Sequence, residues 1–108
     1  MLHVYKMLLE MAREVSVIVR ELESKDRDLA SQMKRAMQSA VLNTGEGMYS
    51  RGKLRPARYH VALGSTREVL SCVEVGVAMG DLTMPDAATL DRWDHIIGSL
   101  GRLVVPRR

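Results

Sequence analysis

The chain has 108 residues, a formal net charge of +3, 46% hydrophobic and 27% charged residues, a balance that excludes disorder and leaves room for one modest core. Phe is absent and the aromatics are one Trp and three Tyr beside eight Met, so strands would lack the fillers they favour and helix is the expected state. The single cysteine, Cys72, excludes an internal disulfide, and no apolar run matches a signal peptide or a membrane span, so a reducing cytoplasm and no membrane partner are expected.

Val4, Leu8, Met11, Val15, Ile18 and Leu22 follow one another by alternating fours and threes, the spacing of one helix face packed on another. The polar run Glu23–Asp28 breaks that pattern. A second stripe begins at Leu29 and continues through Met33, Ala36, Ala40 and Asn43 to Gly47, although Asn43, Thr44, Gly45 and Gly47 are individually poor helix formers. Gly52 and Pro56 mark a turn, and a third helix is expected from near Pro56, which suits a first helical turn. Its face is Tyr59, Ala62, Thr66, Val69, Val73 and Gly76, with Gly80 as the stop. Pro85 and Asp86 open a fourth helix with the stripe Leu90, Trp93, Ile97, Leu100 and Val104, ended by Pro106.

Four helices on short connections pack most simply as an all-α, antiparallel up-down-up-down four-helix bundle, a single domain over residues 1–108. The apolar arcs are wider than one seam each. A second row, Tyr5, Leu9, Ala12 and Val19, runs along the first helix, and Val61, Cys72, Val75 and Met79 add to the third. The surplus predicts that bundles associate side by side into an oligomer, the alternative being a thick core in a monomer.

Arg35, Ser39, Asn43 and Glu46 recur by fours and threes, so they line one side of the second helix beside its small residues. Gly64, Ser65 and Glu68 offer a matching patch on the third. Close approach of the two backbones with a hydrogen-bonded network across the contact is expected, because an unpaired buried polar atom costs about 1–3 kcal/mol. Catalysis would need Glu46 or Glu68 as base, yet no histidine stands at helical spacing from either. The chain is therefore read as no enzyme, with no catalytic residues.

The second helix and the following turn also carry a resemblance. Arg35, Ala36, Ser39, Asn43, Glu46, Gly47 and Arg51, then Tyr59, Ala62, Gly64, Ser65 and Glu68, resemble the pattern of the four-helix-bundle proteins encoded in intervening sequences of bacterial large-subunit ribosomal RNA genes, once labelled ribosomal protein S23-like. The match spans about Leu29 to Leu82; the outer helices agree by hydrophobic pattern alone. That family is similar in architecture to the accessory variability determinant of diversity-generating retroelements, a pentameric barrel of bundles that binds nucleic acid and a reverse transcriptase. The resemblance implies a ring-like homopentamer as the first choice of assembly. RNA or DNA and a reverse transcriptase or similar enzyme are the partners it suggests.

In an up-down-up-down bundle the start of the first helix, the second turn and the end of the last helix share one pole. That pole would gather Lys6, Arg51, Lys53, Arg55, Arg58, Arg102, Arg107 and Arg108. Arg51 and Arg102 suit helix C-termini in any case, whereas Arg55 and Arg58 open a helix, where the dipole opposes them. A ring of such poles could hold a phosphate backbone, with Tyr49 and Tyr59 placed to stack on unpaired bases. The alternative is an oligomeric scaffold that binds only protein.

Other signals fail. None of His3, His60 or His95 follows a Glu by three residues, so the two-metal bundle motif is missing; Asp91 and His95 are four apart and could clamp one ion, but a surface pair is the preferred reading, and no metal or cofactor is expected. The stretch "GEGMYSRG" lacks the spacing and preceding strand of a phosphate-binding loop.

Overall fold

The structure is a computed structural model, and it describes residues 2–105. Among the described residues the chain forms four helices and no strand: α1 (His3–Glu23), α2 (Arg27–Tyr49), α3 (Leu54–Ala78) and α4 (Ala87–Val104). No helix is long and apolar enough to cross a membrane.

Each boundary has a local cause. In α1 the buried stripe ends Val15, Val19, Leu22, so Val19 rather than Ile18 faces inward. A straight helix turns 3.6 residues per turn, and the stripe drifts relative to a strict alternation of threes and fours. Asp26 caps α2 by accepting a 3.0 Å hydrogen bond from the Leu29 amide, and the helix therefore starts two residues ahead of its apolar stripe. Asp28 in that first turn suits the dipole.

α3 starts at Leu54 rather than at Pro56. Pro56 is its third residue, still within the turn whose amides have no intrahelical acceptor, so the ring costs no hydrogen bond. At the other end Gly80 adopts φ +81°, the left-handed conformation that closes the helix. The Asp81 amide donates to the Gly76 carbonyl at 2.8 Å and the Gly80 amide to that of Val77 at 3.0 Å, the paired bonds of a glycine C-cap. Asp86 caps α4 through the Thr89 amide at 2.9 Å. Those bonds, from the Thr89 side chain and backbone, hold the Asp86 carboxyl below its ordinary pKa.

One core draws on all four helices, with Leu8, Met11, Leu22, Met33, Val69, Val73, Trp93 and Leu100 almost wholly buried. Each helix packs mainly on two others: α1 on α2 and α4, α3 on α2 and α4, and the α2–α3 contact is the most extensive. The close α2–α3 approach follows from side-chain size, since Ala36, Ala40 and Gly47 are all buried there. A Cβ on residue 47 would lie 2.5 Å from Tyr59 Cε1, so only glycine leaves room for that ring. Eight residues earlier on α2, Ser39 meets Ser65, six residues beyond Tyr59 on α3; these two helices run in opposite directions. Elsewhere the Tyr5 ring of α1 lies against Gly45. The first and third connections meet where Lys25 Nζ donates to the Asp81 carbonyl at 3.2 Å.

Candidate nucleic-acid interface

The connection between α2 and α3 is a short, ordered turn. Gly52 takes φ +58° with open space around it, a conformation that side chains disfavour. The Ser50 amide donates to the Gly47 carbonyl at 3.2 Å, and Arg55 Nε reaches back to the Ser50 carbonyl at 3.0 Å. The start of α3 is thereby stitched to the end of α2.

Arg51, Lys53, Arg55 and Arg58 are all exposed. Between Glu46 and Glu68 the chain carries these four and Arg67 and no carboxylate side chain. Among the described residues the one ion pair is Arg92–Glu14, so none of the turn's cations is ion-paired there. Among the described residues their one side-chain hydrogen-bond partner is Asn43, whose Oδ1 accepts from Arg58 at 3.4 Å. Beside them a depression of about 730 Å³ is lined by Tyr5, Glu46, Tyr49, Arg55 and Tyr59.

The tyrosines divide by burial. Tyr49 is 85% exposed, whereas Tyr59 is 3% exposed and seated against Gly47. Tyr59 is thus a core residue, and the expectation that its ring stacks on a base is corrected. Burial raises its phenol pKa, with Arg55 pulling the other way. Tyr5 completes the depression and was not singled out for it; only the α1–α2 packing brings it there.

Lys6 is exposed and follows Tyr5 in sequence, at the same end of the chain's packing as the turn. Arg102 is exposed in the last turn of α4, and its NH2 donates to Ser99 Oγ at 3.1 Å; among the described residues no hydrogen bond or ion pair ties it to the α2–α3 turn. Arg107 and Arg108 lie outside the described residues.

The polar stripe is narrower than its sequence spacing implies. Ser39 and Ser65 hydroxyls are 2.8 Å apart, and Asn43 Nδ2 donates to the Ser39 carbonyl at 2.9 Å and to its Oγ at 3.2 Å. Arg58 joins through Asn43. Arg35 instead donates to Ser31 Oγ at 3.1 Å on the exposed side of α2. Glu46 and Glu68 are exposed and make no side-chain hydrogen bond within the described residues. Helical spacing gave these three the right angle around the axis to within a turn's drift, but not enough to reach the contact.

Two further polar side chains lie deeper. Thr44 and Thr66 are fully buried, each donating its hydroxyl to the carbonyl four residues earlier, Ala40 and Ala62, at 2.8 Å. Self-satisfaction of this kind lets a threonine sit inside a helix contact without a partner helix supplying an acceptor.

Cys72 is buried on α3. Burial, and secondarily the Glu68 carboxylate, push its thiol pKa up, so the reactive thiolate is scarce at neutral pH. A maleimide or iodoacetamide label is expected to react slowly with the native chain and at the rate of a free thiol in urea, as mass spectrometry of a time course would show.

No family model matches the chain, and no curated protein matches it. Its structure is similar to the crystal structure of a protein of unknown function from the S23 ribosomal protein family of Bacteroides thetaiotaomicron VPI-5482. The similarity has a TM-score of 0.69 at 15% sequence identity, over 94% of this chain and 91% of the other. At that identity the likeness speaks for the all-α fold, and the fold alone.

Proposed function

We propose that this chain is a non-enzymatic, oligomeric nucleic-acid-binding accessory module that contacts phosphates through the α2–α3 turn. The observation that carries the proposal is the group Arg51, Lys53, Arg55 and Arg58: four exposed cations on one short turn, with no carboxylate partner among the described residues. Two of them open α3, where the helix dipole opposes a positive charge, so the dipole does not account for their placement. Arginine forks suit phosphate oxygens, and the exposed Tyr49 ring nearby is a stacking surface.

The wider basic pole, with Lys6, Arg102, Arg107 and Arg108, belongs to the reading of the chain as an up-down-up-down bundle. Opposed directions in α2 and α3, and the meeting of the first and third connections, support that arrangement. A ring-like homopentamer remains the first choice of assembly, and a reverse transcriptase or similar nucleic-acid enzyme the accessory's partner, both on the family resemblance.

The test is fluorescence anisotropy with short single-stranded RNA and duplex DNA across a salt series. Four phosphate contacts give a slope of log K against log salt of about −3 to −4 on a duplex. Replacing Arg51, Lys53, Arg55 and Arg58 together by alanine is expected to abolish binding at moderate salt while circular dichroism stays unchanged. Unaltered affinity in that variant would sink the proposal. A native chain that binds no nucleic acid even at low salt would leave the protein-only scaffold as the better account.

A further inference from the structure

Helix α3 is apolar on two sides. Its inner face fills the core, yet on the outside Leu54, Val61, Val75 and Met79 are 66%, 47%, 49% and 70% exposed. Leu54, Val61, Glu68 and Val75 recur every seven residues, and the small residues Ala57, Gly64 and Ser71 are interleaved among them; all of these are exposed. Such a row has the heptad spacing that suits packing on a further helix, although Arg58, Arg67 and Glu74 are exposed on the same helix.

A second apolar surface lies elsewhere on the same chain. Between α1 and α2 runs a groove of about 610 Å³ lined by Leu9, Ala12, Met37, Val41 and Leu42, with Arg20 and Lys34 farther along it. Leu42 is 66% exposed.

The two surfaces match in height. With a rise of 1.5 Å per residue, distances can be measured from the α2–α3 turn in both directions. Val61 and Leu42 each lie seven residues away, about 10 Å along the helices. Glu68 lies about 21 Å along α3 and Lys34 about 22 Å along α2. Among the described residues neither Glu68 nor Lys34 has an ion-pair partner.

We propose that the α3 seam of one copy seats in the α1–α2 groove of the next, both copies pointing the same way. Val61 then falls beside Leu9 and Leu42 of the next copy, Gly64 allows the backbones to approach, and Glu68 meets Lys34. Because the two surfaces differ, the contact is head to tail, and repeating it closes a ring or extends a filament. In a closed ring every α2–α3 turn lies on the same side, which concentrates the cations of the turn. The inference rests on the oligomeric part of the proposed function and supplies its interface.

Native mass spectrometry and mass photometry test it with two variants that spare the fold. A Cβ at residue 64 meets nothing within 4 Å, and Leu42 is mostly exposed, so Gly64→Arg and Leu42→Arg are expected to keep native circular dichroism and melting. Each alone should be monomeric where the native chain is oligomeric. Mixed one to one they should form a heterodimer, because one retains the groove and the other the seam. Glu68→Lys should weaken assembly at least tenfold, and adding Lys34→Glu should restore it. If Leu42→Arg keeps the native subunit number, the groove is not the partner of the seam and the inference falls while the oligomer stands. A native chain that is monomeric at tens of micromolar overturns both.

Discussion

Replacing Trp93 by alanine is expected to destabilise the fold by about 3–5 kcal/mol, the usual cost of emptying a large aromatic site in a core. The ring is 1% exposed and belongs to the cluster shared by all four helices. Its indole Nε1 also donates to Glu14 Oε1 at 3.2 Å, and Glu14 pairs with Arg92. Domains of this size are stable by about 5–15 kcal/mol, so the loss is a large fraction of the total. Trp93→Phe separates the two contributions. It keeps most of the volume and removes the N–H, and the Glu14 carboxylate retains Arg92 and partial access to water, so about 1 kcal/mol is expected. Urea titrations followed by circular dichroism should show the midpoint fall with an unchanged slope. An alanine variant losing less than about 1 kcal/mol would mean that the ring is not packed as described.

The second large effect is at Gly47. A Cβ there would come within 2.5, 2.9 and 3.0 Å of three atoms of the Tyr59 ring, and Tyr59 is itself buried. Gly47→Val adds two methyl groups beyond that Cβ, fixed in a stiff rotamer, and is expected to cost about 2–3 kcal/mol by overpacking. Gly45→Ala is the control on the same helix. Its Cβ would lie 3.4 Å from Tyr5 Cε1, ordinary contact, and removing a helix-interior glycine should stabilise by up to about 1 kcal/mol. Thermal melts of the two variants should therefore move in opposite directions. A gain in stability from both would show that α2 and α3 do not meet closely at Gly47.

The contrast between those two glycines also marks where sequence reasoning stops. Both weaken a helix on paper, and only Gly47 was legible as part of the small-residue stripe. Only the packing separates the one filled by Tyr59 from the one that merely neighbours Tyr5. The four helices themselves were legible because each apolar stripe recurs at helical spacing, and Asp26, Gly80 and Asp86 punctuate them. Starts were less so: α2 and α3 each begin two residues early, since a helix can take polar or proline residues in its first turn without disturbing its stripe. At the site, the basic character of residues 51–58 follows from composition. What does not follow is which tyrosine faces outward, or that Arg35, Glu46 and Glu68 stay clear of the Ser39–Ser65 contact. A shift of a fraction of a turn decides such cases, and spacing does not resolve it.

The stitching of residues 50–55 has a consequence for the proposed binding of a polyanion. Four arginine and lysine stems rise from backbone that is already fixed by Gly52, by the Ser50 and Arg55 bonds and by the seated Tyr59 ring. If the turn binds phosphate as proposed, the ligand would meet backbone that needs little ordering on arrival, and the entropic penalty would fall mainly on the side chains.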